Sequence, residues 1–275
     1  MAERHNFHNH TNRSDGSHSI EEVKNFLKAD GVTKSAIADH NSIEALKGIQ
    51  DEADIYNGVE FSSGIFIDGK WEEVHILGYG FDINDPGINK LINDYNDANT
   101  FYFMEMLQEL AKVGVIISPE VVTNLVQSGV TLTNNHIIYW LMENGYGTKY
   151  GEIWGKYIQP IMDVKPNVRT DLQLIIDTVK ASGGHVIFAH PWRFNSIVQN
   201  PKLLNKWINM GIDGTEVVLD SEKYQALLKY LKDNGLMYSV GTDFHHYGSQ
   251  KLGIDIPDLV LQDNQYFGNH IGRSR

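Results

Sequence analysis

Imidazole and carboxylate side chains recur along this chain at positions where they could share one site. His8 and His10 are separated by Asn9, and Asp243 and His245 by Phe244. On a strand, residues i and i+2 point to the same face. Each pair could therefore offer both side chains to one ion, with Phe7 and Asn9 turned the other way. Asp39 and His40, Glu60, His75 and His190 each lie in or just beyond a short apolar segment. The chain has no cysteine, which removes thiolate ligands, disulfides and cysteine nucleophiles together. A donor set of nitrogen and oxygen alone suits zinc, manganese, iron or a similar divalent ion. Taken singly, each residue has an ordinary explanation. A His-x-His pair is commonly a surface feature, and His75 or His190 would be a hydrogen-bonded core or loop histidine. Glu60 could be an edge carboxylate or a helix cap, and Asp15-Gly16 is a turn by default. Their joint occurrence at successive strand ends points to a metal centre.

The elements that must position these residues alternate in type. Ser19 to Glu22 reads as a capping box, followed by Val23, Phe26 and Leu27 on one helical face, with Gly31 as the stop. Residues 35–39 and 57–61 read as buried strands, 42–49 as a short helix, and 65–79 as a hairpin turning at Asp68-Gly69. From about 88 to 165 the spacing is mostly helical. Leu91, Ile92, Tyr95, Met106, Leu107, Leu110 and Ala111 follow 3–4 spacing up to Gly114, and 135–143 and 151–157 also read as helices. Strands at 184–189, 214–218 and 237–241 then alternate with helices at 171–181, 203–210 and 221–233. This alternation predicts an α/β fold with a mainly parallel sheet or barrel. At the mouth of such a barrel, strand ends gather residues distant in sequence. The expected organisation is a discontinuous barrel domain, 1–84 and 166–260, a helical insertion at 85–165 covering the site, and a C-terminal tail at 261–275.

Composition narrows the function classes. The 275 residues carry 23 Lys+Arg against 35 Asp+Glu, a formal net charge of −12. That balance argues against generic binding along a nucleic-acid backbone, where affinity comes from Lys and Arg displacing counterions; it permits contact with short ends. No uninterrupted apolar stretch is long enough to span a bilayer, and the first ten residues lack a signal-peptide pattern. A cytoplasmic location and no membrane partner are expected. Nothing in the sequence indicates an oligomeric state.

The motifs also resemble a known family. His8-Asn-His-Thr-Asn-Arg-Ser-Asp-Gly16 is similar to the first motif of the PHP (polymerase and histidinol phosphatase) family, and Ala38-Asp-His-Asn-Ser42 to its second. Gly58-Val-Glu60 and His75-Ile-Leu-Gly-Tyr79 match the segments between; His190-Pro-Trp-Arg193 and Gly241-Thr-Asp-Phe-His245 resemble the third and fourth motifs. The resemblance runs from about residue 5 to about 250, with the helical part as an insertion. It implies a distorted (β/α)7 TIM-like barrel holding two to three divalent ions, with Mn, Zn and Fe as candidates. Carried over residue by residue, one metal would take His8, His10, Glu60 and Asp243. A second would share Glu60 and add His75 and His190. A third would take Asp15, His40 and His245. Asp15 stands where many relatives have His, which makes Mn or Fe credible there beside Zn.

The implied chemistry is metal-assisted hydrolysis, in which clustered ions give a bridging hydroxide near neutral pH that attacks phosphorus in line. Asp15, Glu60 and Asp243 cannot alone neutralise three divalent ions, so the surplus positive charge favours an anionic substrate. Catalysis is expected to rest on Glu60, Asp243, His245 and Arg193. Arg193 is placed to fork a substrate phosphate. Asp39 is either a carboxylate that orients an imidazole or a strand-end hydrogen-bond partner. In the small-phosphoesterase branch the insertion often carries an Arg shortly before a His-Ile-Ala pattern. Here Thr133-Asn-Asn-His-Ile-Ile138 lacks it, leaving Asn135 as a substrate ligand and His136 as either a substrate ligand or simply a helix residue. Lys149, Lys156 or Lys165 would compensate, or the substrate differs from the usual one, or the metals and Arg193 alone hold the phosphate. Tyr139, Trp140, Tyr146, Tyr150 and Trp154 either stack a base or pack the insertion's own core. The function favoured from sequence is hydrolysis of a small organic phosphate, of nucleoside monophosphate or 3',5'-bisphosphate type. The alternatives are 5'-3' exonucleolytic trimming of short RNA or DNA ends, a histidinol phosphate phosphatase, and a non-catalytic metal-binding domain.

Overall fold

A computed structural model describes residues 3–49, 54–219, 222–246 and 254–256. The strands are β1 (Glu3–Asn6), β2 (Lys34–Ile37), β3 (Ile55–Ile67), β4 (Lys70–Tyr79), β5 (His185–Phe188), β6 (Gly214–Glu216), β7 (Met237–Ser239) and β8 (Ile254–Ile256). They form one curled sheet in the order β7-β6-β5-β4-β3-β2-β1-β8. β1, β2 and β3 are parallel, as are β5, β6 and β7, while β4 runs antiparallel to both of its neighbours. The expected α/β barrel is therefore a curled, mixed seven-stranded half-barrel, with β8 added antiparallel to the lower part of β1. Its two ends still meet above the strands. The Phe7 amide donates to Val240 O at 2.9 Å, the His10 amide to Phe244 O at 2.9 Å, and the Phe244 amide to His8 O at 3.2 Å.

The helix α1 (Ile20–Ala29) begins on the capping box: Ser19 accepts from the Glu22 amide, and the Glu22 carboxylate accepts from the Ser19 amide. It returns the chain to β2. The hairpin turn has φ of 52° at Asp68 and 82° at Gly69, the double positive φ that a two-residue turn of matching twist requires. The sheet core is apolar on both faces, with Ile37, Val59, Ile76, Leu77, Val186, Ile187 and Phe188 all buried.

Helices α2 (Pro86–Lys112), α3 (Pro119–Gln127), α4 (Asn134–Glu143), α5 (Tyr150–Ile153) and α6 (Gln159–Met162) follow the hairpin. Ile88, Leu91 and Ile92 of α2 pack into the sheet core. From Tyr102 onward, α2 joins α3, α4 and the later helices in a second apolar cluster built on Phe103, Leu110, Ile137, Leu141 and Ile158. The helix α7 (Leu172–Ala181) leads back to β5, α8 (Asn195–Gln199) and α9 (Asn205–Ile208) link β5 to β6, and α10 (Gln225–Asp233) links β6 to β7.

Four expectations need correction. The segment 42–49 is not an α-helix but a 3-10 turn at Ala45–Gly48. Ile43, Leu46 and Ile49 are buried at a spacing of three, the period of that tighter helix. The strand 57–61 and the first arm of the hairpin are one continuous strand, β3. The helix read at 203–210 is a turn at Pro201–Leu204 followed by α9. The helix read at 151–157 is α5, a π turn at Trp154–Ile158, and α6. The tail at 261–275 lies outside the described residues.

Candidate metal centre

The candidate ligands stand just past the strand ends on the inner side of the sheet. His8 and His10 follow β1, His40 follows β2, Glu60 and His75 lie within β3 and β4 as diagonal neighbours two residues apart in register, and His190 follows β5. Asp243 and His245 follow β7. Several sit on unusual backbone: φ is 44° at Asn41, 34° at His190 and 52° at Asp243. Non-glycine residues reach that region at a cost of order 1–3 kcal/mol, and such outliers cluster at functional sites. Gly241 lets β7 approach this closely, because any Cβ there would overlap His8 Cβ.

Glu60 is the hub, fully buried. Its Oε1 lies 3.0 Å from His75 Nδ1 and 2.7 Å from His190 Nε2. Its Oε2 lies 3.2 Å from His8 Nε2, 3.3 Å from His10 Nε2 and 3.1 Å from His40 Nδ1. Asp243 Oδ1 is 3.1 Å from His10 Nε2 and 3.4 Å from His8 Nε2. Asp15 Oδ1 is 3.4 Å from His245 Nε2 and 3.8 Å from His40 Nε2. Four sets of donor atoms thus converge within 4.8 Å: His8, His10, Glu60 and Asp243; His40, Glu60 and His75; His10, Asp15, His40 and His245; and His8, His190 and Glu216.

These donors fit divalent ions on direct grounds. His8 Nε2, Asp15 Oδ1 and Glu60 Oε2 are buried and lack a hydrogen-bond partner. Buried polar atoms are ordinarily satisfied, so this cluster is built for something that accepts lone pairs. The protonation pattern agrees. Burial opposes the charge on Glu60, but His8, His40 and His75 outweigh it and hold its carboxyl well below the usual range. Burial likewise opposes the charge on His10 and His75, yet Asp243 and Glu60 push His10 up to about 10, and Glu60 pushes His75 up to about 9. Burial lowers His40 to about 3. The carboxylates are stabilised as anions and call for positive charge beside them, which protons supply when metal does not.

Residues around the centre fix it further. Asp39 accepts from the Thr11 amide at 2.7 Å, from Thr11 Oγ1 at 2.6 Å and from Ser14 Oγ at 2.6 Å. It ties down the loop after His10 and makes no hydrogen bond to an imidazole. Glu216 was not singled out from sequence. Its Oε1 holds His8 Nδ1 at 3.0 Å and its Oε2 accepts the His190 amide at 2.7 Å. This directs His8 Nε2 toward Glu60, as carboxylate partners of ligating imidazoles do. Losing such a partner costs about 10–100-fold in metal affinity. Glu216→Ala should show that loss in a metal titration while the protein stays folded. Glu73 was also missed. It lies 3.7 Å from His75 and 3.5 Å from Arg169. Its signal was present: Glu73 precedes His75 by two residues on one strand, and so shares its face.

Above the ligands opens a cavity of about 360 Å3, walled by Tyr150, Trp154 and Arg193 among others. Arg193 follows His190 in a turn at Pro191–Arg193. Asn135 donates to Asp15 Oδ2 at 2.7 Å and accepts from Tyr150 at 2.8 Å. His136 instead caps α4, its Nδ1 accepting the Thr133 amide at 3.0 Å. Lys156 lies over Tyr157, and Lys165 pairs with Glu105 and Glu109. Among the described lining residues Arg193 is the one Lys or Arg.

No family model matches the chain. Whole-chain comparison is more informative. It is 28% identical to a 5'-3' exoribonuclease of Haemophilus influenzae over 281 aligned positions, covering 95% of this chain and 98% of that one. It is 25% identical to 5'-3' exoribonuclease Rnm of Escherichia coli, covering 86% of this chain and 84% of that one. The chain is similar to these enzymes along its length, and its motifs resemble those of PHP-like metal-dependent phosphoesterases. Its fold recurs in a crystal structure from Bifidobacterium adolescentis described as a metal-dependent phosphoesterase, with a TM-score of 0.77, 23% identity and 96% coverage of both chains. As a PHP-like enzyme it is a phosphoric ester hydrolase. Among the described residues, no helix is long and apolar enough to cross a membrane.

Proposed function

We propose that this PHP-like enzyme removes nucleotides one at a time from the 5' end of short RNA. The observation that carries the reading is the end-to-end likeness to a 5'-3' exoribonuclease, 95% of one chain on 98% of the other, with the ligand cluster intact. It takes precedence over the small organic phosphate favoured from sequence. A nucleotide monophosphate would fit the same cavity, whose 360 Å3 lies at the low end of the roughly 300–1,000 Å3 of ligand sites. The net charge of −12 suits a substrate held by its end rather than along its backbone.

In this reading the ligand groups are those brought together around Glu60, Asp15 and His75. Divalent ions bound there supply charge for the phosphate oxygens and an activated water at neutral pH. The chain's own residues do the rest. Arg193 clamps a phosphate oxygen pair with its planar fork. Asn135 holds Asp15 in place. Tyr150 and Trp154, stacked at 6.3 Å and 12° at the cavity wall, offer a face to a base, as aromatic side chains do for unpaired RNA. Loss of a charged hydrogen bond costs about 1.5–3 kcal/mol. Arg193→Ala should therefore raise KM roughly 10- to 100-fold with metal content unchanged; unaltered kinetics would remove it from the phosphate site.

The direct test is a time course on a 12-nucleotide RNA with a 5' phosphate, labelled at its 3' end. Progressive shortening of the labelled strand, with mononucleotides released, is expected. Release of inorganic phosphate alone would return the chain to the phosphatase reading.

A further inference from the structure

We infer that the inner end of the cavity is a pocket for the base of the terminal nucleotide, with Asn134 as its specificity-determining residue. The inference rests on the nucleotide-end reading above. Beyond the ligand cluster, the cavity is walled by Phe103 of α2, Leu132 and Met162 of α6, interleaved with the amides of Asn99, Asn134 and Asn167. Apolar walls with a few fixed polar groups are the make-up of a site for a flat heteroaromatic ring.

The polar groups are not arranged to satisfy one another. Asn134 Oδ1 is buried and has no partner. Its amide nitrogen reaches Asn167 Oδ1 at 3.3 Å, long for an N–H···O bond, and the weakly accepting Met162 Sδ at 3.4 Å. An orphaned buried acceptor costs about 1–3 kcal/mol, and an N–H donor on a ligand would relieve it. Every nucleobase carries such a donor on its pairing edge, and ribose phosphate carries none in a ring. The pocket is also tied to the reacting centre. Asn167 donates to Glu73 at 3.3 Å, and Glu73 stands 3.7 Å from His75. A base seated against Asn134 is thus two side chains away from a candidate ligand, within the span of one nucleotide. This also explains an amide where the phosphoesterase branch often carries Arg: the position reads a base edge rather than a phosphate.

The test is equilibrium binding to the metal-loaded protein of two probes, adenosine 5'-monophosphate and ribose 5-phosphate, run beside the RNA time course. The wild-type protein should bind the nucleotide at least about tenfold more tightly. In Asn134→Leu, of similar volume but without the acceptor, most of that ratio should vanish. In Asn134→Asp, which keeps an acceptor oxygen, the ratio should persist even if both affinities fall. Equal affinity of the wild type for the two probes overturns the pocket, whether or not the Leu variant folds. So does an unchanged ratio in Asn134→Leu. A clear nucleotide preference with no cleavage of RNA would uphold the pocket and discard the exonuclease reading alone.

Discussion

Replacing Glu60 with glutamine should remove metal and turnover together. Each oxygen of Glu60 serves a different group of imidazoles, Oε1 toward His75 and His190 and Oε2 toward His8, His10 and His40. An amide keeps the shape but replaces one anionic oxygen by an NH2 that carries no lone pair to give. Losing a supporting partner of a metal ligand costs up to about 100-fold, so losing a shared ligand should exceed 100-fold in kcat/KM. The variant should bind less metal when measured by mass spectrometry of the digested protein. Burial adds a second signature: the uncharged amide removes one of the anions that keep His8, His10 and His75 protonated. Full metal content with full activity would defeat the assignment of Glu60 as the hub.

Chelation should destabilise the protein, and more strongly as pH rises. In the metal-free chain, burial opposes protonation of His10 and His75, but their carboxylate neighbours push them up to about 10 and about 9. A group whose folded value lies above the ordinary 6.5 stabilises the fold fully below 6.5, and that contribution is lost as pH climbs through the folded value. Between pH 6.5 and about 9 the metal-free protein should therefore lose stability. His40 and His190 are lowered by burial, so their effect falls below 6.5 and does not offset this trend. Metal binding runs the other way, because ligands must give up protons to bind. At free metal about 100-fold above Kd the gain is about 2.7 kcal/mol, or roughly 5–10 °C for a chain of this size. Thermal melts with and without EDTA at pH 6.5 and 8.5 check it: the gap should widen at the higher pH. A gap that narrows would contradict the protonation pattern.

Much of the centre was legible from residue type and local spacing. His8 and His10 share a face because strand periodicity requires it, and His40, His190 and Asp243 fall just past apolar runs that must be strands. What spacing cannot convey is which strands become neighbours. Glu216 reaches His8 because β7 and β1 meet around the curl, a closure made by Phe7, Val240 and Phe244 far apart in sequence. Ser62-Ser63-Gly64 looks like a break between strands, yet β3 runs straight through it. Ser63 Oγ donates to Thr170 O at 2.9 Å and Ser62 takes a hydrogen bond from Asn41 at 3.0 Å, so tertiary partners satisfy a segment that local propensity would end. His136 reads from its motif as a substrate ligand; the structure gives its ring to the cap of α4, a local demand that any helix start makes. β8 owes its place to pairing with β1, and nothing in three residues announces that.

The central claim is that these side chains are a metal centre, and anomalous diffraction from crystals grown with manganese tests it most directly. Peaks should stand against Glu60, one toward His8, His10 and Asp243 and another toward His75 and His190, with a further peak at Asp15, His40 and His245. A map with no peak in contact with Glu60, from crystals whose manganese was bound elsewhere, would contradict it.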